Sequence, residues 1–210
     1  RIVVEFPKDP LAKDAIVGLR EMLARTNRSL EFIAISEKFE MANPEDEDNA
    51  DRSFENVRMS FNSKRYKEVT VLGQKYITKY PKDESVVQAN YLVAESHFQL
   101  KNYPQSTELF KKVLKSNVDS LQVESSTGIM KGYLKMGYLD SAANHFAQLP
   151  IRDSLVLATY TEELAKGYEL KGDKQKETLW LMETIKFDSF SKGAQALLNC
   201  TSWRNTFSAQ

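Results

Sequence analysis

Proline placement constrains this chain more than any other feature. Ile2 to Asp9 reads IVVEFPKD, and Ile77 to Asp83 reads ITKYPKD. In both, an apolar run ends in an aromatic residue followed by Pro, Lys and Asp. Proline cannot continue a helix, and it keeps the residue before it out of the α region. Each segment therefore closes one helix and opens another. Pro7 and Pro81 are 74 residues apart, twice 37, so they read as one punctuation mark recurring two periods later.

The clearest unit between such marks is Glu84 to Lys115. Its first half carries Val86, Ala89, Val93 and Leu100 at helical spacing. Its second half carries Tyr103, Ser106, Leu109, Phe110, Val113 and Leu114, and Asn102 makes the turn between them. Each half is an apolar stripe with the period of an α-helix. The scheme recurs with second helices opening at Tyr66, Tyr103, Leu139 and Lys174, at separations of 37, 36 and 35 residues. First helices are expected over 10–25, 50–62, 84–100, 119–136 and 155–171. Second helices are expected over 28–41, 65–79, 104–116, 139–148 and 174–186, and a further helix over 190–200. Only eight Gly and six Pro occur in 210 residues, which suits helices joined by short turns.

These residues resemble the tetratricopeptide repeat (TPR) family. The resemblance rests on Val93–Ala94, Phe98 (or His97), Leu100, Tyr103, Ser106, Phe110 and Val113 in one unit. The next unit contributes Ile129, Tyr133, Gly137, Leu139, Ala142, Phe146 and Leu149. The one after matches at Leu164–Ala165, Tyr168 and Gly172, and the one before at Val57, Phe61, Tyr66, Val69 and Tyr76. Small residues such as Ala94, Ala142 and Ala165 would sit where helices cross closely. Met130, Gly73 and Glu177 depart from the pattern. The likeness is good over 50–186 and weaker over 10–42. The tyrosine–proline step and the Ala-containing helix pair after it resemble TPR proteins of the Gram-negative envelope. Those include lipoproteins that help assemble outer-membrane proteins and periplasmic partners of the Tol–Pal system.

The resemblance implies an all-α fold, a right-handed α-solenoid of tandem helix-turn-helix repeats. About five helix pairs and a final helix would make it up. Residues 1–42 would hold a partial repeat and a degenerate pair, 43–51 an acidic linker, 52–189 the tandem repeats, and 190–210 a capping helix and tail. First helices would line an inner face. In the family register that face carries Phe54, Arg58 and Phe61. It continues with Gln88, Tyr91, Glu95, Phe98 and Gln99, then Thr127, Lys131, Leu134 and Lys135, then Glu162, Lys166 and Glu169. Aromatics with charges of both signs suit an extended peptide or a partner helix. For Tyr91 and Phe98, packing against adjacent helices is an equal alternative.

Other chemistries find little support. Lys plus Arg and Asp plus Glu each number 29, so no basic excess exists for nucleic acid. No apolar stretch reaches the roughly 18 residues of a membrane span. His97 and His145 both fall on helices near the packing face, and neither a zinc spacing nor a phosphate or nucleophile motif occurs. Cys200 lacks a cationic cluster beyond Arg204. The acidic run Pro44 to Asp51 lacks the central Gly and late Glu of a calcium loop, and reads as a linker with Asp48 or Asn49 capping the next helix.

The triplets Asp119–Ser120–Leu121, Asp140–Ser141–Ala142 and Asp153–Ser154–Leu155 read as turn caps. Their form is also that of a periplasmic O-glycosylation signal, and Asn27–Arg28–Ser29 and Asn199–Cys200–Thr201 fit an N-glycosylation pattern. The expectation is therefore a non-catalytic scaffold without cofactor or metal. It would bind other proteins rather than nucleic acid, membrane or small molecules, in the periplasm or at the outer membrane, with the cytoplasm as the alternative compartment. An accessory or spacer domain of a larger protein is the other reading. Residues 1–7 look like the end of a second helix without its beginning, so more repeats are expected upstream.

Overall fold

The computed structural model describes residues 1–26, 28–116, 118–188 and 195. All regular structure among them is helical. The chain divides into two compact units, 1–121 and 122–210. The first holds α1 (Ile2–Glu5), α2 (Pro10–Arg25), α3 (Ser29–Ala42), α4 (Asn49–Asn62), α5 (Tyr66–Lys79), α6 (Val86–Gln99), α7 (Tyr103–Lys115) and a 3-10 turn, Asp119–Leu121. The second holds α8 (Gln122–Met136), α9 (Leu139–Phe146), α10 (Ser154–Lys171) and α11 (Lys174–Phe187). The helix expected over 190–200 lies outside the described residues save Gln195.

Second helices begin at Tyr66, Tyr103, Leu139 and Lys174, where the repeat spacing puts them. What fixes these starts is the turn before each. Lys64, Lys101, Gly137 and Gly172 all adopt positive φ, at 56°, 63°, 70° and 75°. At each, the next N–H reaches back five residues: Arg65 to Ser60, Asn102 to His97, Tyr138 to Tyr133 and Asp173 to Tyr168. A second bond runs from the left-handed residue itself, as in Lys64 to Phe61 and Gly172 to Glu169. This is the Schellman closure, and it satisfies carbonyls that a helix end otherwise leaves open. Two of the four positions carry Lys, although a left-handed backbone favours Gly.

A different turn joins each second helix to the next first helix in the amino-terminal unit. After Phe6–Pro7, Asn43–Pro44 and Tyr80–Pro81 comes an aspartate two residues on: Asp9, Asp46 and Asp83. Each aspartate carboxylate accepts the N–H two residues later, from Leu11, Asp48 and Ser85. Pro7, Pro44 and Pro81 are 37 residues apart. The acidic run therefore contains the missing middle member of the series rather than a spacer. Neither Asp48 nor Asn49 caps α4 through its side chain; Asn49 Nδ2 instead donates to the carbonyls of Asn43 and Pro44. Asp46 binds Arg52 at 2.7 Å and Lys13 at 3.3 Å.

The expected first helix over 119–136 opens with the 3-10 turn and is α-helical only from Gln122, and α9 stops at Phe146. There, Gln148 and Leu149 bond three residues back, to His145 and Phe146, which tightens the last turn ahead of Pro150.

The core of the first unit has two clusters. One joins Val3, Ala12, Ile16, Leu23, Phe32, Phe39 and Met59, and the other Phe54, Val57, Val69, Tyr76, Ala89 and Leu92. In the second unit, Met130, Leu139, Ala142, Tyr160, Leu164 and Tyr168 pack together. Ala94, Ala142 and Ala165 are all buried, as expected where helices approach closely. Met130 is fully buried as well, so this repeat fills with a flexible side chain the space another fills with Ala94. Each large buried apolar side chain contributes about 1.5–3 kcal/mol through burial.

Polar ties bind the helices further. Glu40, buried on α3, accepts bonds from Lys79, from the Tyr80 hydroxyl at 2.9 Å and from the Ser53 hydroxyl at 3.2 Å. Burial works against ionisation of Glu40, but these donors and the Lys79 charge outweigh it and hold the carboxyl below its ordinary value.

Candidate functional site

The residues expected on the inner face differ in their exposure. Phe54 is a correction: it is buried, its ring 5.4 Å from Tyr76, and it belongs to the core. Phe61, Tyr91 and Phe98 are half-buried and each packs edge-on against an aromatic of the following second helix, Tyr66, Phe110 and Tyr103 respectively. The packing alternative for Tyr91 and Phe98 is thus realised, although both residues remain only half-buried. Gln88, Arg58 and Gln99 are exposed. Arg58 pairs with Glu55 at 3.1 Å, and Gln99 donates to Glu95 at 2.7 Å. Among the described residues, Arg58 and Gln99 are thus engaged within their own helices, while Gln88 is not.

The second unit differs. Thr127 faces Tyr160, whose phenol is pushed above its usual range by burial, with the Thr127 hydroxyl working the other way. Lys131, Lys135, Lys166 and Glu169 are exposed, and Leu134 and Glu162 are half-buried. Between α8 and α10 lies a cleft of about 400 Å³, lined by Leu134, Lys135, Gly137, Leu139, Glu163, Lys166, Gly167, Leu170 and Lys171. Gly167 lies against Leu139 in the floor. A Cβ there would sit 2.5 Å from Leu139 Cδ2, so any side chain at this position would push the Leu139 side chain aside. Lys171 Nζ donates to the Gly137 carbonyl at 3.2 Å, which pins one rim to the Schellman turn. Leu170 is 90% exposed at the cleft mouth.

Sequence reasoning found Leu134, Lys135 and Lys166 but missed Glu163, Gly167, Leu170 and Lys171. The signal was available for one of them. Gln99 and Lys135 are 36 residues apart, and Lys135 and Leu170 are 35 apart. The repeat that placed Gln99 and Lys135 on the face also places Leu170 there.

A second cleft, about 290 Å³, lies between α2 and α4, with Ile16, Val17 and Phe32 in its wall and Arg20, Asp48, Asp51 and Arg52 around it. Here the charges close on each other, since Arg52 is tied to Asp46 and Asp48. His145 Nε2 lies 3.0 Å from both the hydroxyl and the carbonyl of Ser126. Ser126 is buried, so the pair ties α9 to α8. His97 is held toward its neutral form by burial. Among the described residues no group of three His, Cys, Asp or Glu could hold a metal ion, and no helix is long and apolar enough to cross a membrane.

Of the three Asp–Ser triplets, only Asp153 caps a helix, accepting from Leu155 and Val156. Asp140 instead accepts from Tyr168 at 2.8 Å and Lys176 at 2.7 Å. Ser120, Ser141 and Ser154 are all exposed.

Neither a protein-family model nor a curated protein sequence matches this chain. Solved structures do. YrrB, a TPR protein with an unusual peptide-binding site, superposes with a TM-score of 0.62 at 15% identity, covering 93% of this chain and 99% of YrrB. The nearly identical TPR-like repeats of a kinesin light chain from Podosopora anserina give 0.55 at 14% identity, covering 90% and 99%. The fold is the tetratricopeptide-repeat fold. MamA from Desulfovibrio magneticus RS-1 is similar too, with a TM-score of 0.57 at 10% identity over 85% of this chain and 96% of that one.

Proposed function

We propose that this chain is a non-catalytic interaction scaffold that binds a peptide or a helix of another protein on the exposed face of its first helices. The observation that carries the reading is the α8–α10 cleft, whose apolar floor opens to solvent beside exposed lysines. Buried apolar anchors with charged rims are how such surfaces gain affinity and orientation. The likeness to YrrB, described as having a peptide-binding site, supports the same use of this fold. Within the reading, the chain is part of a larger envelope-associated TPR protein, in the periplasm or at the outer membrane. The support for that placement is the repeat style around Tyr80–Pro81. An accessory or spacer role in a larger protein is the competing reading, favoured by the internal pairing of Arg58 with Glu55 and of Gln99 with Glu95.

Photocrosslinking residues placed one at a time in the full-length protein test the binding face. Positions Gln88, Lys131 and Lys135 should yield discrete adducts with a protein partner, and Lys67 and Lys112 on second helices should not. Adducts spread evenly over both sets, or absent from both, would remove the proposal. Fractionation of the producing cell tests the compartment: recovery with cytosolic markers contradicts the envelope placement.

A further inference from the structure

We infer that the α8–α10 cleft takes an acidic segment of a partner protein, with a leucine-like side chain seated between flanking carboxylates. This deepens the reading of the first-helix face as a protein-binding surface and rests on it. Leu134, Leu139 and Leu170 supply the apolar side chains of the cleft. A lone exposed leucine is ordinary. Leu170, at 90% exposure, instead borders a recess of about 400 Å³, within the range of specific ligand clefts. An apolar side chain of a partner would cover Leu170 and exchange two wetted surfaces for one contact.

Charge names the rest of the occupant. Lys135, Lys166 and Lys171 line the cleft against the single carboxylate of Glu163. Among the described residues, neither Lys135 nor Lys166 forms an ion pair, although lysines elsewhere in this unit do: Lys174 with Glu177, Lys176 with Asp140 and Lys186 with Glu183. Three lysines against one lining carboxylate leave the cleft itself with a positive excess, which attracts carboxylates and repels a basic segment. The cleft is also held in shape before anything binds. Gly167 lies against Leu139, and Lys171 is anchored on the Gly137 carbonyl. A preformed cleft loses less freedom on binding.

The test uses a fluorescein-labelled synthetic peptide with a leucine pair flanked on both sides by glutamates. Its two counterparts replace the glutamates with lysines or the leucines with serines. Anisotropy with the whole chain should show saturable binding of the acidic leucine peptide. Each counterpart should bind at least about tenfold more weakly, and so should the Lys135→Glu/Lys166→Glu and Leu170→Ser variants. Lys112→Glu on α7 should leave affinity unchanged. Raising salt from about 0.05 M to about 0.5 M should weaken binding severalfold. All these positions are exposed, so circular dichroism should be unchanged. No binding of the acidic peptide, equal binding of the lysine peptide, or equal affinity of the variants would each overturn the inference. Crosslinks from Gln88 and Lys131 that persist despite such a result would leave the scaffold reading standing. Loss of both would remove both.

Discussion

Gly73→Ala measures how tightly the helix pairs are packed. Gly73 lies on the buried face of α5, at a position where the repeat pattern calls for an aromatic. A Cβ built there falls 2.2 Å from Val93 Cγ2 and 3.7 Å from Val57 Cγ1. In an unpacked helix, alanine would gain about 0.5–1 kcal/mol over glycine. Here the valine must retreat by more than an ångström, and it has little room, being 1% exposed and β-branched with one favoured helical rotamer. Overpacking of this kind costs about 1–3 kcal/mol. The net expectation is destabilisation by roughly 0.5–2 kcal/mol, read as a lower urea midpoint at unchanged slope.

Two companions sharpen the result. Gly18→Ala on α2, where nothing lies within 4 Å, should stabilise instead. Val93→Ala should cost less in the Gly73→Ala background than alone, because the new methyl fills part of the space vacated. A coupling of about 1 kcal/mol or more is expected. If Gly73→Ala stabilised the chain as Gly18→Ala does, the close approach of α5 and α6 would be wrong.

Three further outcomes follow from particular contacts. Glu40 sits below its ordinary carboxylate value in the folded chain, so its contribution is present above the unfolded pKa and is lost as pH falls through the folded one. Wild type should therefore lose urea stability more steeply than Glu40→Gln below about pH 5. Tyr168→Phe removes the 2.8 Å bond to Asp140 and should lower stability by about 0.5–1.5 kcal/mol, with a smaller effect in an Asp140→Asn background. Lys101→Gly relieves a left-handed backbone at φ 63° and should raise stability by up to about 1 kcal/mol, while Lys115→Gly, in the last turn of α7, should lower it.

The helix starts were legible because turn geometry is local. A left-handed residue followed by a reach-back bond, or a proline followed by an aspartate, needs only a few neighbouring residues to form. The same rule escaped notice at Asn43–Pro44 because neighbouring acidic residues made the segment look like a solvated spacer, although its 37-residue spacing from Pro7 and Pro81 was present. Side-chain direction was harder to read. Phe54 and Arg58 lie one helical turn apart on α4, yet Phe54 turns into Tyr76 while Arg58 stays in solvent. That difference depends on an aromatic of the next helix and not on spacing along α4. In the cleft between α8 and α10, the meaning of Gly167 appears only when Leu139 is placed beneath it. Gly73 likewise looked like a departure from the pattern until Val93 occupied its space.

Amide shift mapping of the isotope-labelled chain, titrated with the acidic leucine peptide, tests most directly whether the first-helix face is a binding surface. The perturbed amides should cluster in 131–139 and 163–171, the walls of the cleft. Second helices α5 and α7 should stay in place. Perturbations centred on those second helices, or scattered without a focus, would contradict the account.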